Sequence, residues 1–425
     1  MQQEFNVLDF GACRDGTSLT TKAIQKAIDA AALCGGEVVL PAGTYLTGAL
    51  FLKSNISFHL EKDAVLLGTI REEEYPFVFS RVAGVEMEWP AGILNVFHES
   101  NVRIYGEGMI DGQGEYWWNK YWGTDRHGGM RREYEAKGLR WAVDYDCTRT
   151  RNVIVFESYD IILEDFSCIR SGFWNVHLCY SENVTVRNLT IDQNQGPSTD
   201  GIDIDSCKKV LVENCTISCN DDNICIKSGR DADGLRVNRI CEDVIIQNCK
   251  LLLGAGITLG SETSGGMRNI TVRGIEFDGT QCGFRLKSAR ARGGILEQVT
   301  VENLEMLDVA YPFSFQFNWN PAYSYCEVPK DYEGDIPKSW GLLTGKVSEE
   351  EGIPHARNIV IQGVNAKYRK EYEGVSEAFD IQGFEDAPFE NFTFEDITIE
   401  AKNFGRIHGI KNFNWKQLRL TIRNN

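Results

Sequence analysis

Two acidic clusters and one basic pair stand at matching places in four short segments of the chain. The segments are Thr199-Asp200-Gly201-Ile202-Asp203-Ile204-Asp205-Ser206, Asp221-Asp222-Asn223-Ile224-Cys225-Ile226-Lys227-Ser228, Gly254-Ala255-Gly256-Ile257-Thr258-Leu259-Gly260-Ser261 and Gln281-Cys282-Gly283-Phe284-Arg285-Leu286-Lys287-Ser288. Each has a polar lead-in, apolar residues at alternate positions, and a closing serine. They recur 22, 33 and 27 residues apart. Set in register, they place Asp200 over Asp222, with Asp221 beside the pair and Arg285 and Lys287 a few rungs on. Breaking a glycosidic bond needs a carboxylic acid to protonate the leaving oxygen and a carboxylate to activate water, typically ~6.5–9.5 Å apart in an inverting site. Crowded carboxylates repel one another, which raises the pKa of at least one and keeps a proton donor near neutrality. Arg285 and Lys287, at i and i+2, leave the same face of a strand. There a guanidinium can clamp a substrate carboxylate and an ammonium can neutralise it. The set suits the cutting of an anionic polymer.

Each of these residues also has a plainer reading. Asp-Gly and Asp-Asp-Asn at a strand entrance commonly form turns. Neighbours such as Asp221 and Asp222 face opposite ways on a regular strand, although the run Asn220-Asp221-Asp222-Asn223 is rich in turn formers and a bend would present both. Asp203 and Asp205 share the outward parity of Arg285 and Lys287, and Lys227 is a cation they could simply pair with. A calcium site is another use for so many carboxylates. The basic pair could be merely solvated. His177, in Trp174-Asn175-Val176-His177, is the histidine nearest the cluster in coil order, either a substrate contact or a packed, hydrogen-bonded side chain.

The elements that must hold these residues are strands. A form beginning with a polar residue and alternating apolar positions recurs at Asn101-Val102-Arg103-Ile104, Asp160-Ile161-Ile162-Leu163, Asn183-Val184-Thr185-Val186, Lys209-Val210-Leu211-Val212, Asp243-Val244-Ile245-Ile246, Asn269-Ile270-Thr271-Val272 and Gln298-Val299-Thr300-Val301, then again at Asn358 and Asn391. From Asp160 to Gln298 the spacings are 23, 26, 34, 26 and 29 residues. Repeats of that length without helical periodicity predict a stacked β-solenoid. A leucine-rich repeat would need a leucine-asparagine consensus that is absent. Before the repeats, Thr20 or Thr21 could cap a helix through Ala23, Ile24, Ala27, Ile28 and Ala31, stopped by Gly35-Gly36. The expected organisation is one all-β domain over residues 1–425, with an N-terminal helical cap and first coils over 1–60. Insertions at about 114–149 and 319–355 carry Trp117, Trp118, Trp122, Trp141, Trp319, Tyr323, Tyr325 and Trp340. These aromatics either stack on sugar rings or pack the insertions onto the solenoid.

Composition narrows the partners. With 61 acidic against 44 basic residues the formal charge is −17, which argues against nucleic acid and anionic membranes. A polyanionic substrate would need cations local to its site. No run of about 18 apolar residues exists to cross a membrane. Met1-Gln2-Gln3-Glu4-Phe5 lacks the basic and apolar regions of a secretory leader, so a cytoplasmic location is expected, or export with a leader already removed. The 13 cysteines show no CxxC pair. Cys207, Cys215, Cys225 and Cys249 fall on strand positions, where small buried thiols are the ordinary expectation.

The motifs together resemble the polygalacturonase family, glycoside hydrolase family 28, over nearly the whole chain. Asp9-Phe10-Gly11-Ala12, Leu40-Pro41-Ala42-Gly43-Thr44-Tyr45 and Gly112-Gln113-Gly114-Glu115-Tyr116-Trp117-Trp118 resemble its bacterial, exo-acting branch. The family's Asn-Thr-Asp motif stands as Ser198-Thr199-Asp200, its Asp-Asp as Asp221-Asp222, and its Arg-Ile-Lys as Arg285-Leu286-Lys287. The resemblance implies a right-handed parallel β-helix that hydrolyses α-galacturonosyl linkages in pectic chains with inversion, without cofactor or metal. It implies Asp221 as general acid, Asp200 and Asp222 as holders of the water, and Arg285 and Lys287 as binders of the galacturonate carboxylate; Lys227 and His177 are further candidate substrate contacts from their place in the ladder. One motif departs: the family's Gly-His-Gly, whose histidine assists the acid, is Gly254-Ala255-Gly256. That change would suit another linkage, such as galacturonosyl-rhamnose in rhamnogalacturonan. Gly260-Ser261-Glu262-Thr263-Ser264-Gly265-Gly266 follows the bacterial pattern and is expected to shape the rim. Two other readings fit the same ladder: a pectate-lyase-like β-eliminase, needing calcium and a basic residue, and a non-catalytic pectin-binding solenoid.

Overall fold

The polar residue that opens each strand signature adopts the left-handed backbone conformation, with φ of 57° at Asn183, 59° at Asp243 and 55° at Asn269. Asparagine and aspartate tolerate that region better than most side chains, which explains their recurrence at one place per coil. They also stack from coil to coil, Asn391 Nδ2 donating to Asn358 Oδ1 at 3.0 Å. The strands that follow these corners pair in parallel with those of the next coil, for example Val184 with Val210 and Val210 with Val244. The computed structural model describes residues 3–423, so Met1 and Gln2 of the N-terminal segment, and the last two asparagines, lie outside the described residues. Over that range the chain is a right-handed parallel β-helix.

The four chemistry-bearing segments lie on a single face. Among the described residues it is a sheet of 11 strands, all parallel. Its register runs Ile202↔Ile224, Ile224↔Ile257 and Ile257↔Phe284, matching the 22-, 33- and 27-residue spacings of the sequence. Ile202, Ile224, Ile257 and Phe284 are buried in one inward column, and the alternate positions face out. Gly201 permits the close approach of the coils, because a Cβ there would come within 2.3 Å of Asn223 O.

The N-terminal helix, Thr21–Ala32, buries Ile24, Ala27, Ile28 and Ala31 against the first coils. Thr20 precedes it, but its hydroxyl accepts from Cys13 N instead of capping the helix. The first insertion is helical, with Gly114–Trp122, Gly129–Ala136 and Val143–Asp146, and the second carries Pro321–Ser324 and Lys338–Leu343. The aromatics of these insertions are chiefly packing residues. Trp117, Trp118, Trp141 and Trp340 are buried, and Trp141 meets Trp340 edge-on at 5.2 Å. That contact ties the two insertions to each other over one side of the 11-stranded face. An antiparallel hairpin, Phe77–Val82 with Val85–Pro90, completes the wall. No helix among the described residues is long and apolar enough to cross a membrane.

Candidate active site

The register that packs the isoleucines also fixes the acids. Asp200 and Asp222 each stand two residues before the first inward isoleucine of their strand, so they share a column, which Ala255 continues on the next coil. The chain bends at Asn220 and Asp221, and Asp221 Oδ1 accepts from the Asp222 amide at 3.0 Å. Both neighbours therefore reach the same side. One carboxylate oxygen from each of Asp200, Asp221 and Asp222 lies within 4.8 Å of the other two. That is closer than the ~6.5–9.5 Å of a usual inverting pair, so a water here would be held by a carboxyl cluster rather than between two separated groups.

Fixed cations divide the labour among the three. Burial works to raise the Asp222 pKa, but Lys287, Arg285 and Lys227 outweigh it and hold that carboxyl below the usual range. Lys287 Nζ donates to Asp222 Oδ2 at 2.6 Å, Thr258 Oγ1 donates to Oδ1 at 2.6 Å, and Arg285 Nη1 stands 3.6 Å away. Asp221 is pushed up by burial and by the Asp222 charge. Asp200 is pushed up further, by burial and by Asp203 and Asp221. The cluster thus sets a carboxyl held below the usual range beside two pushed above it, the kind of contrast that acid-base chemistry uses. Coupled groups of this kind titrate as a unit.

Lys227 is wholly occupied by neighbours, with Asp203 at 3.3 Å, Glu262 at 3.3 Å, Asp200 at 3.5 Å and the Trp174 ring at 4.6 Å. It lines the pocket but its charge is spent on the acids. Asp203 is raised to about 7, by burial first and then by Asp222 and Glu262 against the pull of Lys227. Asp205 belongs to another pair: Arg81, from the hairpin, donates to it at 3.0 Å and to Ser206 Oγ at 2.8 Å.

His177 is not brought to the site. It is fully buried, its Nδ1 accepts from Arg151 at 2.7 Å, and its Nε2 lies 3.6 Å from Asp205. The Trp174 ring sits edge-on 4.8 Å away. Burial, with Arg151 beside it, lowers its pKa to about 4 even though Asp205 opposes the shift. The expected substrate contact is therefore a neutral structural side chain, and Trp174, three residues earlier and just before the strand, lines the pocket in its place.

Two cavities meet at the acids. An inner pocket of about 80 Å³ contains Asp200, Asp222, Lys227, Lys287 and Glu262, and is walled by Arg140, Asp144 and Tyr323 from the insertions. A larger groove of about 720 Å³ crosses the strand entrances past Gln193, Leu253, Ala255 and Arg285. Asp221 and Trp319 line both. Arg285 and Lys287, expected to act together on one carboxylate, are thus divided, Arg285 to the groove and Lys287 to the pocket. The Trp319 ring stands over both, 4.6 Å from Lys287 Nζ and 5.8 Å from the Arg285 guanidinium. Sequence reading did not find Arg140, Asp144 or Trp174, and it placed Glu262 at the rim where the structure buries it. Groups with metal-ligand spacing exist, among them Asp200, Asp221 and Asp222. Lys287 already stands 2.6 Å from Asp222 and Lys227 3.5 Å from Asp200, so the donor set does not resemble the open oxygen cage of a calcium site.

Comparison with known proteins places this geometry among pectin-active enzymes. The sequence pattern of Glycosyl hydrolases family 28 matches residues 81–331, and that of Rhamnogalacturonase A/epimerase, pectate lyase-like, matches residues 4–59. A Vitis vinifera protein named "Probable polygalacturonase" is 29% identical over 408 residues, covering 93% of this chain and 74% of its own. The exo-poly-alpha-D-galacturonosidase of Dickeya chrysanthemi is 27% identical over 72% of this chain, which spans 55% of that enzyme's length. The hyperthermoactive exopolygalacturonase of Thermotoga maritima superposes with a TM-score of 0.80 and 26% identity, covering 97% of this chain and 92% of that one.

Proposed function

The chain belongs to glycosyl hydrolases family 28, and from that premise we propose that it removes single galacturonate residues from the non-reducing ends of pectic chains, with inversion at C1. The observation that carries this reading is the position of Asp221, which lines both a small pocket and a larger groove. A terminal sugar in the pocket puts its C1 at the mouth, with the leaving sugar in the groove. Asp221, whose pKa is pushed up by burial and the Asp222 charge, gives a proton to the leaving oxygen as the C1–O bond breaks. Asp222 and Asp200 lie on the pocket side only. Asp222 is ionised, so it takes the proton from the attacking water, and Asp200 orients that water. The water oxygen bonds to C1 from the face opposite the leaving group, so an α-linkage yields a β-product. Lys287 and Arg285 neutralise substrate carboxylates on either side of the break. The insertions, by walling the pocket, favour release from chain ends. Two relatives of this chain carry the same exo action in their names.

Product analysis tests the reading. On homogalacturonan and rhamnogalacturonan fragments side by side, the expected early product is monomeric galacturonic acid, first seen as the β-anomer by proton NMR. Mixed oligomers would overturn the exo assignment, and an α-anomer would overturn inversion. Ultraviolet-absorbing product would instead show β-elimination, and binding without turnover would show a non-catalytic solenoid.

A further inference from the structure

Lys227 faces more negative charge than its one ammonium can neutralise. It stands 3.3 Å from Asp203, 3.3 Å from Glu262 and 3.5 Å from Asp200, and all four side chains are buried. Asp222 is served differently, with Lys287 Nζ and Thr258 Oγ1 both donating to it at 2.6 Å. Among the described residues no donor but Lys227 reaches Asp203. Its neighbours on the adjoining coils do not relieve the excess. Asp203 pairs in register with His177 on the coil before and Cys225 on the coil after. His177 is lowered to about 4, chiefly by burial, and burial pushes the Cys225 thiol well up, so neither carries charge near neutrality. Arg151 feels the Asp203 charge but makes no ion pair among the described residues, donating instead to His177 Nδ1 and to Arg81 O. Asp222 adds a further negative charge.

One oxygen of Asp200, one of Asp203 and the Cys225 sulfur lie within 4.8 Å of one another. Two buried carboxyls that close, beside an ammonium shared with Glu262, repel one another when both are ionised, and one of them keeps a proton. The directions agree. Burial acts first on both, raising Asp203 to about 7 and Asp200 well above the usual range, with Asp203 the leading charge on Asp200. Burial acts the same way on Glu262, but Lys227, Arg292 and Lys287 outweigh it. We infer that Asp203 is a positioning residue of the reaction: it helps fix Lys227 against Asp200, and the Asp200–Asp203 pair holds one proton, so that Asp200 meets the attacking water as a hydrogen-bond donor. That water has one lone pair for C1 and one hydrogen for Asp222, and its second lone pair accepts from Asp200. Asp203 itself does not line the pocket, whereas Asp200, Lys227 and Glu262 do. The inference rests on the reading above, in which Asp200 orients the water.

Infrared titration reads the proton directly. At neutral pH the wild-type protein is expected to show a protonated-carboxyl stretch that persists in Asp221→Asn and is lost in Asp200→Asn. Asp203→Asn removes the charge that opposes ionisation of Asp200, so the proton leaves at lower pH and the midpoint of the band falls by about one unit or more. Asp203→Glu keeps the charge, and its midpoint is expected to stay near the wild-type value. Kinetics on polygalacturonate ties the proton to the reaction. If protonated Asp200 is the working form, kcat/KM of Asp203→Asn relative to wild type falls about 10-fold or more as pH rises through the variant's midpoint. A merely structural role for Asp203 would give a ratio that is constant with pH and a midpoint that does not move, and either result overturns the inference. Wild-type protein without the band at neutral pH also overturns it, whether or not the Asp203 variants fold. Absence of hydrolysis by wild-type protein would instead sink the reading beneath it, while the band would still show whether the pair holds its proton.

Discussion

The inner pocket and the outer groove are built from the same rungs but differ in every physical respect. The pocket is small, about 80 Å³, and crowded with buried charges whose partners are fixed by register. The groove is larger, about 720 Å³, and lined with side chains such as the exposed Leu253 and the small Ala255. In the pocket each ion pair sets the proton affinity of its neighbour, so one substitution changes chemistry. If the groove receives the leaving part of the chain, as proposed, substitutions there change binding. The contrast predicts a steep gradient of mutational effects across Asp221, the boundary residue.

The largest effect belongs to that boundary. Asp221→Asn keeps the shape and removes the proton donor, and kcat is expected to fall about 10²- to 10⁴-fold with KM within a few-fold. Steady-state kinetics on trigalacturonate measures this, and normal turnover would end the assignment of Asp221 as the acid. Next comes Lys287→Met, inside the pocket. Asp222 must be ionised to accept a proton, and Lys287, at 2.6 Å, is the cation that most holds it down against burial. Without Lys287 the Asp222 pKa rises, so the group becomes protonated, and activity is lost, as pH falls through the raised value. A new acid limb should appear in kcat/KM, with a loss of about 10²-fold at mildly acidic pH, where Coulomb terms in a buried site are large. An acid limb identical to wild type would show that Asp222 does not take the proton.

Much of this gradient is legible in the chain itself, for a definite reason. Period-two alternation and equal offsets determine both the buried isoleucine column and the column of acids, so Asp200, Asp222, Arg285 and Lys287 could be stacked without coordinates. Asp221 was legible because turn formers surround it. The residues that close the pocket were not. Arg140 and Asp144 lie in an insertion with no repeat to align, and their position depends on packing such as Trp141 against Trp340, nearly 200 positions apart in the chain. Sequence offered two fates for those tryptophans, and burial selects packing for Trp117, Trp118, Trp141 and Trp340 but leaves Trp319 at the junction. His177 misled because proximity in coil order does not show that Arg151 and Asp205 already hold it.

Trp319 sits at the same junction as Asp221 but offers a surface rather than a proton. It is partly exposed and stands over Lys287 and Arg285. Trp319→Ala should raise KM about 10-fold, the worth of one good aromatic contact, and lower kcat by less. The two measured together locate the ring: a loss confined to kcat would assign it to the pocket chemistry instead of to substrate binding.

The smallest effect is expected on the groove side, and it is the sharpest test of the contrast. Ala255 continues the column of Asp200 and Asp222, yet it lines the groove and not the pocket, and its amide donates to Asp221 O at 2.8 Å. It is also the position where the resemblance to the family expects a histidine. Ala255→His adds a ring at a nearly buried position on the groove wall beside the acid. If the groove only receives the leaving chain, kcat on trigalacturonate should stay within about threefold. KM for longer chains should rise a few-fold, because the imidazole takes room from the sugar next to the break. A gain or loss in kcat beyond about tenfold would mean that this rung takes part in proton transfer to the leaving oxygen. The division between a catalytic pocket and a permissive groove would then run through Ala255 rather than through Asp221.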